Sequence, residues 1–193
     1  MNWTTRSLAV LCAAFAAGCD KPATSRASAT AEQPAEPAAV AQTCVGASDI
    51  VLRGQLHGAL TDEVIARLSN TECRGMPRPA AQGLRLHFRT TGNDRGTPLT
   101  MILGIDDIGR GDAGDALRTT VTLIDEDGEQ FFSTGQQDNC FSDVKRHEQT
   151  TEQLSTVEGV LWCTAAVPQI NGPDSVRITD LYFSGIVTWP AEG

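Results

Sequence analysis

The stretch Ile50-Val51-Leu52-Arg53-Gly54-Gln55-Leu56-His57-Gly58-Ala59-Leu60 decides the fold. Its even-numbered positions are apolar or glycine, and Arg53, Gln55 and His57 fall between them. An extended chain turns successive side chains to opposite faces, so a period of two marks a half-buried strand and not a helix. Val51, Arg53, Gln55 and His57 are therefore expected on the outward face. Leu84, Leu86 and Phe88 repeat the pattern, with Arg85, His87 and Arg89 turned to solvent. Leu99, Met101, Leu103 and Ile105 make a third row, and Val157, Gly159, Leu161 and Cys163 another. Val121 and Leu123 run into Asp125-Glu126-Asp127-Gly128, and Gln130 to Ser133 returns. That is a hairpin in which Gly128 is expected to take the positive φ. Val64, Ala66 and Leu68 read as a strand pairing back on residues 50–57, although Thr61-Asp62-Glu63 also has the composition of a helix cap.

The last element breaks parity. Val176 and Ile178 share one face, whereas Leu181, Phe183, Gly185, Val187 and Trp189 have the opposite parity. One extra residue near Thr179-Asp180, a β-bulge, restores a continuous apolar face. In Phe131-Phe132 and Tyr182-Phe183, adjacent rings must lie on opposite faces. One of each pair enters the core, and the other faces out or meets a second sheet; an outward pair is a candidate binding patch. About eight short strands without a long helix predict an all-β fold, an antiparallel β-sandwich or small barrel, over residues 44–193.

The 193 residues carry 15 Lys+Arg against 24 Asp+Glu, a net charge of −9. That balance opposes nucleic acid as a partner, because phosphates demand a basic stripe. No apolar run approaches the roughly 20 residues of a spanning helix. The chain starts instead with one cation, Arg6, and the terminal amine, followed by ten uncharged apolar residues from Leu8 to Ala17. This is the plan of a secretory signal, expected to occupy residues 1–18. The run ends in Ala16-Ala17-Gly18-Cys19, which resembles the lipobox of bacterial lipoproteins. The resemblance implies acylation of Cys19 and a cut just before it. An ordinary cleavage after Ala16, with Ala14 and Ala16 as the small pair, is the alternative, but it leaves a bare thiol in an oxidising space. Three acyl chains would contribute on the order of 30 kcal/mol of membrane anchoring. Asp20 resembles the enterobacterial signal for inner-membrane retention. The expected location is thus the cell envelope, lipid-anchored and facing the periplasm, with both inner and outer membrane open.

Between Asp20 and Thr43 stand eight Ala, three Pro and five Ser or Thr, with no aromatic residue. Such a segment buries too little to offset its ordering entropy, so residues 19–43 are expected to be the lipidated cysteine and a disordered linker. Its reach is about 25–30 Å as a flexible chain. Cys12 leaves with the signal and Cys19 takes lipid. That leaves Cys44, Cys73, Cys140 and Cys163, an even number that reads as two disulfides in an exported chain, with three possible pairings. The sequence-local pairing, Cys44–Cys73 and Cys140–Cys163, is expected. No C-x-x-C pair exists, which opposes zinc and thioredoxin-like chemistry.

Candidate chemistry is sparse. Gly109-Arg110-Gly111-Asp112-Ala113-Gly114 matches a dinucleotide loop, yet the periodic stretch that follows reads as strand, and Asp106, Asp107, Asp112 and Asp115 would repel phosphate. No nucleotide is expected. The tripeptide Arg110-Gly111-Asp112 is too short to carry an adhesive function. Those four aspartates have the oxygen chemistry of a calcium loop, but solvated turns explain them more simply. Asp125, Asp127 and Gly128 begin like an EF-type loop, but Gln136 stands where its glutamate belongs. Ser142-Asp143-Val144-Lys145 matches the S-x-x-K of penicillin-binding enzymes, which need a further lysine; beyond the signal only Lys21 and Lys145 exist. His57, His87 and His147 have no triad-like neighbours and read as surface or loop residues. No catalytic residue, metal site or cofactor is expected.

Four stretches, Cys73-Arg74-Gly75-Met76-Pro77-Arg78-Pro79, Leu84-Arg85-Leu86-His87-Phe88, Phe131-Phe132-Ser133-Thr134 and Asn139-Cys140-Phe141, together with the lipobox, resemble small envelope lipoproteins of Gram-negative bacteria. The resemblance implies a location and no mechanism. Three functions fit: a non-catalytic, membrane-anchored binding or scaffolding domain, which is favoured; an inhibitor or immunity lipoprotein against a cationic wall-degrading enzyme; or a hydrolase with an unrecognised site. The membrane, through the lipid, and an envelope protein are the expected partners. For the second function the support is charge: residues 44–193 hold 12 Lys+Arg and 21 Asp+Glu, a field that steers basic partners.

Overall fold

The computed structural model describes residues 42–44, 49–78, 83–91 and 98–191; residues 1–41, with Cys19 and the signal, lie outside them. The described residues are all-β, a nearly closed antiparallel barrel or sandwich. In order come β1 (Gln42–Thr43), β2 (Ile50–Gly58), β3 (Asp62–Arg67), β4 (Thr71–Pro77), β5 (Gly83–Thr90) and β6 (Leu99–Asp106). Then follow β7 (Gly114–Asp125), β8 (Gln130–Ser133), β9 (Cys140–Thr151), β10 (Leu154–Cys163), β11 (Val167–Pro168) and β12 (Ser175–Thr188). These are twelve strands where about eight were expected, because β4 and β9 carry too many polar residues to show alternation and β1 and β11 are only two residues long. A 3-10 turn, Leu68–Asn70, is the single helical element described.

Neighbours run β1-β4-β5-β6-β7-β9-β10-β12-β2-β3, with β8 on β7 and β11 on β12. One strand joins the two halves of this path. The first part of β7 pairs with β9 (Arg118 opposite Phe141), and from Thr119 onward it pairs with β6 (Thr119 opposite Ile105). The sheet turns a corner there. On the far side β12 packs over β4 and β5. A Cβ on Gly75 would stand 2.0 Å from the Ile186 carbonyl oxygen, so only glycine permits that approach.

The inward rows are those expected from alternation. Leu84, Leu86, Phe88, Met101, Leu103, Ile105, Val157, Leu161 and Phe183 are fully buried. β3 pairs back on β2 as the spacing predicted, but it ends at Arg67, and Leu68, expected in the strand, opens the 3-10 turn instead. In β12 the pairing with β2 slips between Thr179 and Tyr182, and Asp180 adopts φ 47°. The expected bulge is therefore present at the expected place. Phe132 and Phe183 are buried, Phe131 is exposed and Tyr182 half-buried, one ring of each pair inward.

Four readings need correction. Val51 is buried and not outward, because β2 slips against β3 between Ile50 and Leu52 and turns Val51 inward. In the β7–β8 hairpin the positive φ falls on Glu129 (50°); Gly128 leaves room for the Asp125 carboxylate. Gln42 and Thr43, assigned to the linker, form β1 against Cys73 and Glu72. His147 lies in β9 and is buried at 8% exposure, not on a surface loop. The disulfides are Cys44–Cys73 and Cys140–Cys163, the sequence-local pairing expected among the three possible ones.

Candidate functional site

The corner made by β7 leaves a polar cleft of about 330 Å³. Arg78 follows β4, Asp106 ends β6, Arg118 sits on β7 just before it changes partner, and Gln136, Gln137 and Asp138 come from the β8–β9 loop. Arg78 donates to Asp106; Arg118 bridges Asp138 at 2.9 Å and approaches Asp106 at 3.9 Å. Two guanidinium groups and two carboxylates offset one another, so the cleft presents hydrogen-bonding groups without a dominant charge.

Arg118 also belongs to the outer face of the β9–β10–β12–β2 sheet, since it stands opposite Phe141. Phe141 in turn stands opposite Trp162, with ring centroids 6.0 Å apart and planes 32° from parallel. One step along the strands, Asp143, Val160, Tyr182 and Arg53 form the next cross-strand row. Both rows face away from the core, because each ring is flanked in sequence by buried neighbours: Cys140 and Ser142, Leu161 and Cys163, Leu181 and Phe183. All three rings are half-buried. Partial burial and the nearby Glu158 raise the Tyr182 phenol above its ordinary pKa, so it remains a neutral donor. Asp143 is held below the usual carboxylate range by the Ala116 amide and by Lys145.

A second polar cluster binds the β6–β7 loop to the end of the chain. Trp189 Nε1 donates to Ser155 Oγ at 2.7 Å, and Ser155 Oγ lies 3.0 Å from His147 Nε2. His147 Nδ1 lies 3.2 Å from the Asp112 carbonyl oxygen. A carbonyl only accepts, so Nδ1 carries the proton, and Nε2 accepts from the Ser155 hydroxyl. His147 stacks on Trp189, the Arg110 guanidinium lies 5.7 Å from the Trp189 ring centroid, and Arg110 donates to the Glu152 carbonyl. Burial lowers the His147 pKa. Although Ser155 and His147 are in hydrogen-bond contact, Ser155 is fully buried beneath Trp189, which suits a structural polar network.

The sequence candidates separate in space. Ser142 is buried and hydrogen-bonded by Thr119, while Lys145, three residues on in the same strand, points outward to Asp115 and Asp143. An odd spacing on a strand puts the two on opposite faces, so S-x-x-K forms no dyad here. The glycine-rich segment 109–114 leads into strand β7 and opens no helix. Of the aspartates, Asp106 binds Arg78, Asp112 accepts from the Gly109 amide, Asp115 binds Lys145, and Asp107 is exposed at φ 54°. They do not converge, and among the described residues no group of three or more His, Cys, Asp or Glu is placed to hold a metal ion. His57 is exposed and His87 half-buried. No family model, curated protein or solved structure matches the chain. Sequence reasoning missed the ring row, whose signal lies only in the strand register.

Proposed function

We propose that this chain is an exported lipoprotein of the cell envelope, anchored through Cys19, whose disulfide-linked β-domain is a non-catalytic binding module. The observation that carries the reading is the Cys44–Cys73 bond. It ties the start of the domain, directly after the linker-like segment, to β4 through a covalent link. Such bonds form and persist in oxidising compartments, in keeping with the signal-like leader. The outward ring row and the adjoining cleft supply the binding surface.

Intact-mass analysis of the chain from its native host tests the anchor. The expected product begins at Cys19, carries acyl groups and sediments with membranes, whereas Cys19→Ala stays with its leader. A water-soluble product with a bare thiol at Cys19 overturns the reading.

A further inference from the structure

We propose that the outer face formed by β9, β10, β12 and β2 is a platform for an uncharged, extended chain of N-acetylated amino sugars, stacked on Trp162, Phe141 and Tyr182. The inference rests on the binding role proposed above and is independent of the anchor.

Five described aromatic residues lie outside the fully buried set, Phe131, Phe141, Trp162, Tyr182 and Trp189, and three of them share this face. The register places them there: Phe141 opposite Trp162, and Tyr182 opposite Val160, two residues along β10 from Trp162. Directly behind the first two rings, Cys140 stands opposite Cys163 and is bonded to it. That cross-link on the inner side holds the two strands in the one register that sets the rings side by side. A platform fixed before binding loses little entropy when a ligand arrives.

The occupant follows from the surroundings. From β9 to β2 is three strand spacings, about 14 Å, which suits a short run of sugar rings. On this face Arg118 is ion-paired with Asp138, Lys145 with Asp115 and Asp143, and Arg146 with Glu148 and Glu158, while Arg53 stands opposite Tyr182. The carboxylates repel phosphate or sulfate, and the guanidinium groups repel a cation. Hydroxyls and acetamido groups, which both donate and accept, satisfy both signs. The flat C–H face of a sugar ring packs on an aromatic face, and Val160 between the rings receives an acetyl methyl group. A peptide adding as a strand requires a free sheet edge, and this is a sheet face. A protein interface of ordinary size needs a larger apolar centre than three rings interrupted by charges. The cleft at Arg118, with Gln136 and Gln137, lies at one end of the row and is placed to take a terminal sugar.

The test uses the full chain, extracted in a detergent without a sugar headgroup, titrated with N-acetylglucosamine hexamer and followed by tryptophan fluorescence and calorimetry. Saturable binding is expected, with glucose hexamer weaker. Trp162→Leu keeps apolar contact with Phe141 but removes the flat ring, and Tyr182→Ala removes the second. Each is expected to weaken binding about tenfold while the melting temperature stays within a few degrees. Rings that serve only the sheet would instead lower the melting temperature and leave affinity unchanged. That result, absence of binding to the amino-sugar hexamer by the unaltered chain, or preference for a sulfated polysaccharide overturns the proposal. Because the titration needs no lipid on Cys19, it can fail while the anchor stands, and the reverse.

Discussion

At the scale of single residues, the chain Trp189–Ser155–His147–Asp112 makes stability depend on pH. The folded state disfavours the His147 imidazolium, because burial and then the Arg110 charge lower its pKa, outweighing the Asp112 carbonyl, which raises it. His87 is lowered as well, by burial and then by Arg74 and Arg85. A folded pKa below the ordinary 6.5 means that the unfolded chain takes up protons first as pH falls. Stability is therefore complete above about pH 6.5 and decreases below it. Glu126, lowered by its bonds from Arg89 and Thr100, and Asp143 act with the same sign at a lower pH, as their carboxylates protonate. Urea unfolding at pH 7.5 and 5.5 is expected to give the lower midpoint at 5.5, and His147→Gln to reduce the difference. An equal midpoint at both values contradicts the argument. Ser155→Ala leaves the Trp189 indole N–H without its acceptor and is expected to cost about 1–3 kcal/mol, read from the same curves.

At the scale of elements, β12 shows how one residue sets the faces of a whole strand. Without Asp180 as the extra residue, Leu181, Phe183 and Val187 would turn outward, because a one-residue slip reverses every side chain. Asp180 occupies the left-handed region, which a short polar side chain tolerates and a β-branched one does not. Asp180→Val is expected to cost about 1–2 kcal/mol, and Asp180→Gly to be neutral or slightly stabilising, by thermal melting. Equal loss in both variants would place the effect in the carboxylate and not in the backbone. The bulge was legible in the sequence because apolar parity changes between Ile178 and Leu181. β9 was not, since Lys145, Arg146, Glu148 and Gln149 hide its alternation, and only pairing with β7 and β10 makes Cys140–Thr151 a strand.

At the scale of the whole molecule, the two cross-links hold opposite regions of the path. Cys44–Cys73 secures β1 on β4, and Cys140–Cys163 joins β9 to β10. They close loops of 29 and 23 residues, and each is expected to stabilise by about 3–4 kcal/mol in the chain-entropy view. Replacing either pair by alanine should lower the melting temperature by about 10 °C. The consequences differ in kind: Cys44→Ala with Cys73→Ala should leave sugar binding intact, and Cys140→Ala with Cys163→Ala should weaken it by loosening the Phe141–Trp162 pair. Non-reducing peptide mapping on the unaltered chain should recover both links, and a Cys73–Cys140 peptide would overturn the pairing.

By itself the sequence determined that the domain is all-β, where most of its inward rows run and where β12 bulges, because these follow from alternation along one strand; it left three cysteine pairings open, and the structure selected the sequence-local one. It placed His147 at the surface and scattered Phe141, Trp162 and Tyr182 among unrelated segments. Only the tertiary structure buried the first under Trp189 and set the other three in one row. Both outcomes depend on which strand lies beside which and in what register, and pairing between residues distant in sequence leaves no period in the chain to read.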